Sequence, residues 1–181
     1  MVAVTALLDD EHSERVNDLI DRLEREYDIK EVKATPYPHL TFLTTDVEKL
    51  SILKNYLDDL SSHMNKFTIR TTGLGIFPGQ HPVIYVPVLR TPPLNMLHAK
   101  LFNEISGFSQ KMGNYYHPDS WLPHISLALG DTSPRLLGVM LSYLSQFDFN
   151  WEIKIDTLAI LKKSGDKFLK EEVYSLSNIT A

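Results

Sequence analysis

Two short segments of this chain carry the same pair of reactive side chains. His39 is followed at i+2 by Thr41, and His124 by Ser126. Of the seven histidines, only these two have Ser or Thr at i+2, and both follow a proline and precede an aliphatic residue. In a β-strand, residues i and i+2 point to the same face. Each segment therefore offers an imidazole and a hydroxyl on one side, with Leu40 or Ile125 packed behind. An imidazole titrates near neutrality, so one ring can accept a proton while another gives one. Two hydroxyls can hold the non-bridging oxygens of a phosphate between the rings. The set suits phosphodiester cleavage: one histidine takes a proton from the attacking oxygen and the other protonates the leaving oxygen. The near equivalence of the segments leaves open which is acid and which is base. Neither a metal nor a cofactor is needed.

A single His-x-Thr on a strand is an ordinary structural feature, so the weight lies in the repetition. Pro38 to Leu43 aligns with Pro123 to Ala128 at an offset of 85, and Phe67 to Phe77 with Trp151 to Leu161 at an offset of 84. Between these anchors one order of elements, helix–strand–helix–strand–strand, is read twice. Val16, Leu19, Ile20, Leu23 and Tyr27 recur at helical spacing after Asp9 or Asp10, either of which can cap the start. Thr45 can cap a second helix through Leu50, Leu53, Leu57 and Leu60. A third helix begins near Pro92 and Pro93. A fourth follows Ser133, with Pro134 at its first position. Val2 to Leu8, Val83 to Leu89, Trp151 to Leu161 and Phe168 to Leu176 read as strands. One domain over 1–181 is expected, built of two pseudo-symmetric halves of roughly 1–90 and 91–181. A cleft should lie between two similar lobes, and matching motifs should face each other across a pseudo-twofold axis.

Composition limits the partners. The chain has 181 residues, no cysteine and a net charge of −5. Disulfides, thiolate metal sites and cysteine nucleophiles are excluded. A negative chain without a basic stripe does not suit DNA or non-specific nucleic-acid binding, although a small phosphorylated ligand needs only a local site. Ten of the 23 acids fall between Asp9 and Glu31 and read as the solvated face of the first helix. No apolar run is long enough to span a bilayer. The N-terminal residues read as a strand rather than a signal peptide, so a cytoplasmic monomer is expected.

Aromatic residues are the candidates for holding a base or closing the cleft. They are Tyr37, Phe77 and Tyr85, together with Tyr115, Tyr116, His117 and Trp121 in the polar loop before the second motif, where anchoring the loop is the other reading. His12, His63, His81 and His98 lack a partner in the repeat and read as surface or helix residues. Gly73-Leu74-Gly75 lacks the third glycine and the helix of a dinucleotide fingerprint, and marks a bulge or close approach in a strand. No compact metal signature is present. Lys162 and Lys163 read as part of a turn ending at Gly165.

His39-Leu40-Thr41-Phe42 and His124-Ile125-Ser126-Leu127 resemble the paired H-x-[T/S]-φ motifs of the two-histidine (2H) phosphoesterase superfamily. The most similar branch is the 2′-5′ RNA ligase-like one, also described as RNA 2′,3′-cyclic phosphodiesterases. The resemblance covers nearly the whole chain. It implies the fold class α+β, bilobal, with two antiparallel sheets lining the central cleft and helices outside, and metal-independent hydrolysis of a nucleoside 2′,3′-cyclic phosphate or a related cyclic or 2′-5′ phosphodiester. In this reading His39 and His124 are the acid–base pair, and Thr41 and Ser126 bind the phosphoryl oxygens. The expected partner is a nucleotide or short RNA bearing such a linkage. The alternatives are a 2′-5′ RNA ligase, the same chemistry reversed, and a non-catalytic nucleotide- or RNA-binding module of the same fold. In one respect the chain departs from the branch. Relatives often carry an arginine or lysine shortly after an H-x-T motif, whereas here the motifs continue as Leu43-Thr44-Thr45 and Ala128-Leu129-Gly130.

Overall fold

A computed structural model describes residues 1–178 of the chain. Strand β1 (Val2–Leu7) leads into helix α1 (Asp10–Tyr27), strand β2 (His39–Val47) and helix α2 (Leu50–Ser62). Short strands β3 (Phe67–Arg70) and β4 (Gly75–Phe77) complete the first repeat. The second repeat runs through β5 (Val83–Pro87), α3 (Pro92–Ser106), β6 (Ser109–Met112), β7 (His124–Ala128), α4 (Pro134–Leu144), β8 (Glu152–Ile155), β9 (Thr157–Ser164) and β10 (Lys167–Ser175).

The strands form a five-stranded antiparallel sheet in the order β10-β9-β1-β2-β6 and a three-stranded one in the order β4-β5-β7, with β3 and β8 paired as a ribbon. This is the bilobal α+β architecture expected. The division of strands differs from a simple cut near residue 90. β9, from the second repeat, pairs with β1, and β4, from the first, pairs with β5. Each sheet is completed by a strand from the other repeat. The helices follow the same exchange: α1 packs against β7 and α4, while α3 packs against β2 and β6. Among the described residues no helix is long and apolar enough to cross a membrane.

Local chemistry accounts for most element ends. Asp9 accepts a hydrogen bond from the His12 backbone N–H at 2.9 Å and starts α1, which ends at Asp28 with φ of 56°. The apolar stripe Val16, Leu19, Ile20 and Leu23 is buried. Gly75 is glycine because a Cβ there would lie 2.3 Å from the Tyr85 ring, which is the close approach its sequence setting indicated.

Three local expectations are corrected. Thr45 does not cap α2. It is buried within β2, where its hydroxyl bonds the Ser109 hydroxyl at 2.7 Å and the Lys111 carbonyl at 3.0 Å. Pairing with β6, a strand the sequence did not suggest, carries β2 past the point where a helix could start. The run Trp151 to Leu161 is two strands, because the chain breaks at Asp156 between β8 and β9. Lys162 and Lys163 lie in β9, not in a turn. His12 and His98 are helical, which meets the reading, and both are buried.

Candidate active site

The two histidine segments are positioned by the same device. On β2, Leu7 of β1 stands opposite His39 and Thr5 opposite Thr41; on β7, Pro87 of β5 stands opposite His124 and Tyr85 opposite Ser126. Just beyond, the register slips at the same place in both pairs, between Val4 and Thr5 and between Ile84 and Tyr85. Phe42 and Leu127 are the residues left without a partner there. Each bulge reverses the alternation, so that Phe42 and Leu43, and likewise Leu127 and Ala128, are buried in succession. Residues before the bulge present His and Ser or Thr to the cleft, and those after it present Thr44 and Leu129.

His39, Thr41, His124 and Ser126 meet in one cleft of about 450 Å³ between the lobes. The two rings are held alike. The Nδ1–H of His39 donates to the Tyr37 carbonyl at 2.6 Å, and that of His124 to the Leu122 carbonyl at 2.6 Å. A carbonyl oxygen can only accept, so the proton of each neutral ring sits on Nδ1 and Nε2 is left as the reactive atom. Burial pushes both imidazoles below their ordinary pKa, and His124 adds repulsion at His39. The free site therefore favours neutral rings and resists charging both. A bound phosphate anion offsets that burial cost and favours one imidazolium.

Tyr115 and His117 do not line the cleft, and the other aromatic candidates fall into three groups. Tyr37 and Tyr116 line the cleft. Phe77 stacks on Tyr85 at 4.2 Å and meets the His124 ring edge-on at 5.0 Å, and Tyr85 lies 5.1 Å from the same ring, so this pair packs behind the second histidine. Trp121 does not face the cleft and is only 1 % exposed. Its indole N–H donates to the Thr41 carbonyl at 3.1 Å, and its ring lies flat on His98 at 3.8 Å. Of the two readings of Trp121, base platform and loop anchor, the second holds: it is a buried brace for the first motif, placed there by a loop of the second repeat.

One wall of the cleft is a 3₁₀ turn, Glu31–Ala34, followed by Thr35 and Pro36. The Asp131 carboxylate ties this turn down by accepting from the backbone N–H groups of Lys30 at 2.7 Å and Glu31 at 3.0 Å. Gly130, with φ of 84°, sits under the Glu31 side chain. Where relatives often place a cation after the motif, this chain places a glycine covered by an acid.

Sequence reasoning missed the floor contributed by β1, β9 and β10. Ala3, Leu161, Lys163 and Phe168 line the cleft there. The signal available was parity, since Ala159, Leu161 and Lys163 share one face of a strand. Among the described residues no group of three or more His, Cys, Asp or Glu could hold a metal ion.

The sequence model of the 2′-5′ RNA ligase superfamily matches residues 8–167. No curated protein matches the chain. Among solved structures it is similar to TT0787 of Thermus thermophilus, with a TM-score of 0.63 and 15 % identity over 97 % of each chain. It is also similar to a structure described as a phosphoesterase, with a TM-score of 0.56 and 15 % identity over 98 % of each chain. At that identity these two likenesses concern the fold. The family match spans both histidine segments and the cleft between them, and on that ground the chain belongs to the 2′-5′ RNA ligase superfamily of 2H phosphoesterases.

Proposed function

We propose that the protein is a metal-independent phosphodiesterase that opens a nucleoside 2′,3′-cyclic phosphate or a related cyclic or 2′-5′ phosphodiester. The observation that carries this reading is the matched pair of imidazoles, each with Nδ1–H committed to a carbonyl two residues earlier and Nε2 left free beside a hydroxyl in one cleft. One neutral Nε2 accepts a proton from water as its oxygen bonds to phosphorus. The bond from phosphorus to the ester oxygen breaks, and the other histidine, as imidazolium, gives its Nε2 proton to that oxygen. Thr41 and Ser126 donate to the non-bridging oxygens and hold the phosphorus in line between the rings. After turnover the two histidines have exchanged protonation states, and solvent resets them.

A panel of nucleoside 2′,3′-cyclic phosphates and 2′-5′ dinucleotides tests the reading, with the His39→Ala/His124→Ala double variant as control. Turnover of at least one compound by the native chain and none by the double variant is expected. Turnover that persists in the double variant, or a panel left intact, overturns it.

A further inference from the structure

Only two lysines line the cleft among the described residues, Lys33 and Lys163. Lys33 is committed elsewhere, with Asp21 at 2.6 Å and Glu24 also on its ammonium. Among the described residues, Lys163 has no ion pair or hydrogen bond from its side chain. Its direction follows from strand parity. Leu158 and Ile160 of β9 point into the main core, whereas Ala159 and Leu161 pack with Ala3, Tyr37 and Phe168 on the cleft side. Lys163 continues the second set. Lys162 continues the first and joins Glu171 on the outer face, where Lys54 also binds.

Distance decides what Lys163 can serve. Ala159 is level with Thr41 through Thr5 of β1. Lys163 stands four residues further along β9 and two strands over, ~13 Å along the sheet and ~10 Å across it. Its ammonium falls well short of a phosphate held by Thr41. Between the two lies an apolar shelf of Ala3, Leu161 and Phe168 flanked by Tyr37, and the Lys170 ammonium covers the Tyr37 ring at 4.2 Å. A flat base suits such a shelf. The carboxylates that line the cleft, Glu31 and Asp166, make no ion pair with Lys163.

We infer that Lys163 is a specificity residue for a second phosphate, and that the preferred substrate is a nucleotide diester carrying that phosphate on the far side of its nucleoside from the scissile group. The inference rests on the phosphodiesterase reading. A nucleoside 2′,3′-cyclic phosphate with and without a 5′-phosphate gives the comparison. The native chain should favour the 5′-phosphorylated form in kcat/KM by on the order of tenfold, the effect of one charge-assisted hydrogen bond. Lys163→Gln should bring the ratio close to one, and Lys162→Gln, on the opposite face, should keep it. Equilibrium binding of a nucleoside 3′,5′-bisphosphate against the 3′-monophosphate gives a readout free of turnover. A Lys163-dependent preference for the bisphosphate, with the whole panel of cyclic and 2′-5′ compounds left intact, would keep Lys163 as a second-phosphate site and sink the phosphodiesterase reading. Equal hydrolysis of both compounds, unmoved by Lys163→Gln, would do the reverse.

Discussion

Ile69 and Ile153 are equivalent residues of the repeat, and they stand directly opposite each other as antiparallel partners in the β3–β8 ribbon. Both are buried. The pseudo-twofold axis passes between them, and the same rotation that exchanges them exchanges His39 with His124. The symmetry of the candidate site is therefore built into the core of the fold.

Removal of either ring tests the acid–base pair. His39→Ala and His124→Ala should each lower kcat by ~10²–10⁴, the range for losing one general acid or base. Both side chains are only partly buried, so thermal unfolding should change little. A variant that keeps native turnover would remove that histidine from the mechanism.

The pH profile should show the effect of burial. Both histidines lie below the ordinary value of about 6.5. The productive free enzyme holds one proton on the pair, and that proton is lost as pH rises through the lowered values. kcat/KM should therefore fall through neutrality in a bell whose limbs belong to the coupled pair. Bound phosphate favours the imidazolium, so the alkaline limb of kcat should lie at higher pH than that of kcat/KM. A kcat/KM that keeps rising to pH 8 would contradict this.

Chelation tests the metal-free mechanism. The cleft offers two imidazoles and two hydroxyls at the reacting position, which do not make a catalytic zinc site. Activity should survive exhaustive EDTA treatment. Loss that a divalent ion restores would require a different mechanism.

His98 should make the fold acid-sensitive. It is 1 % exposed, neither ring nitrogen has a well-formed hydrogen bond, and burial brings its pKa down to about 4. The unfolded chain binds a proton there below about 6.5 and the folded chain does not, so stability is full above that pH and falls as pH drops toward 4. Between pH 7.5 and 5 the loss from this residue should be roughly 2 kcal/mol. His98→Phe, which keeps a ring against Trp121, should lose that much less in denaturant unfolding at the two pH values. An identical pH dependence in the variant would show that His98 is not the cause.

What could be read from the sequence was set by local pattern. The duplicated His-x-[T/S] segments, the Asp9 cap and the apolar stripe of α1 depend on neighbours a few residues away, and the structure places them as their spacing implies. Non-local pairing was hidden. Nothing near Thr45 announces that β6 will extend β2, and nothing near Lys163 tells a turn from a strand end. Trp121 was open to two readings for a related reason. It stands in a polar loop, but its indole N–H finds the Thr41 carbonyl across the repeat, and that bond permits full burial.

The exchange of β4 and β9 between the sheets has a consequence for the single repeat. It is the connectivity of a domain-swapped pair written on one polypeptide. A lone copy would leave β1 or β5 with an unpaired edge and a donated strand with nowhere to lie, so two copies close each other isologously. Joining them in tandem retains that closure and frees the copies from being identical. One half can then supply the Trp121 brace while the other supplies the 3₁₀ wall, asymmetries that a dimer of identical chains could not hold.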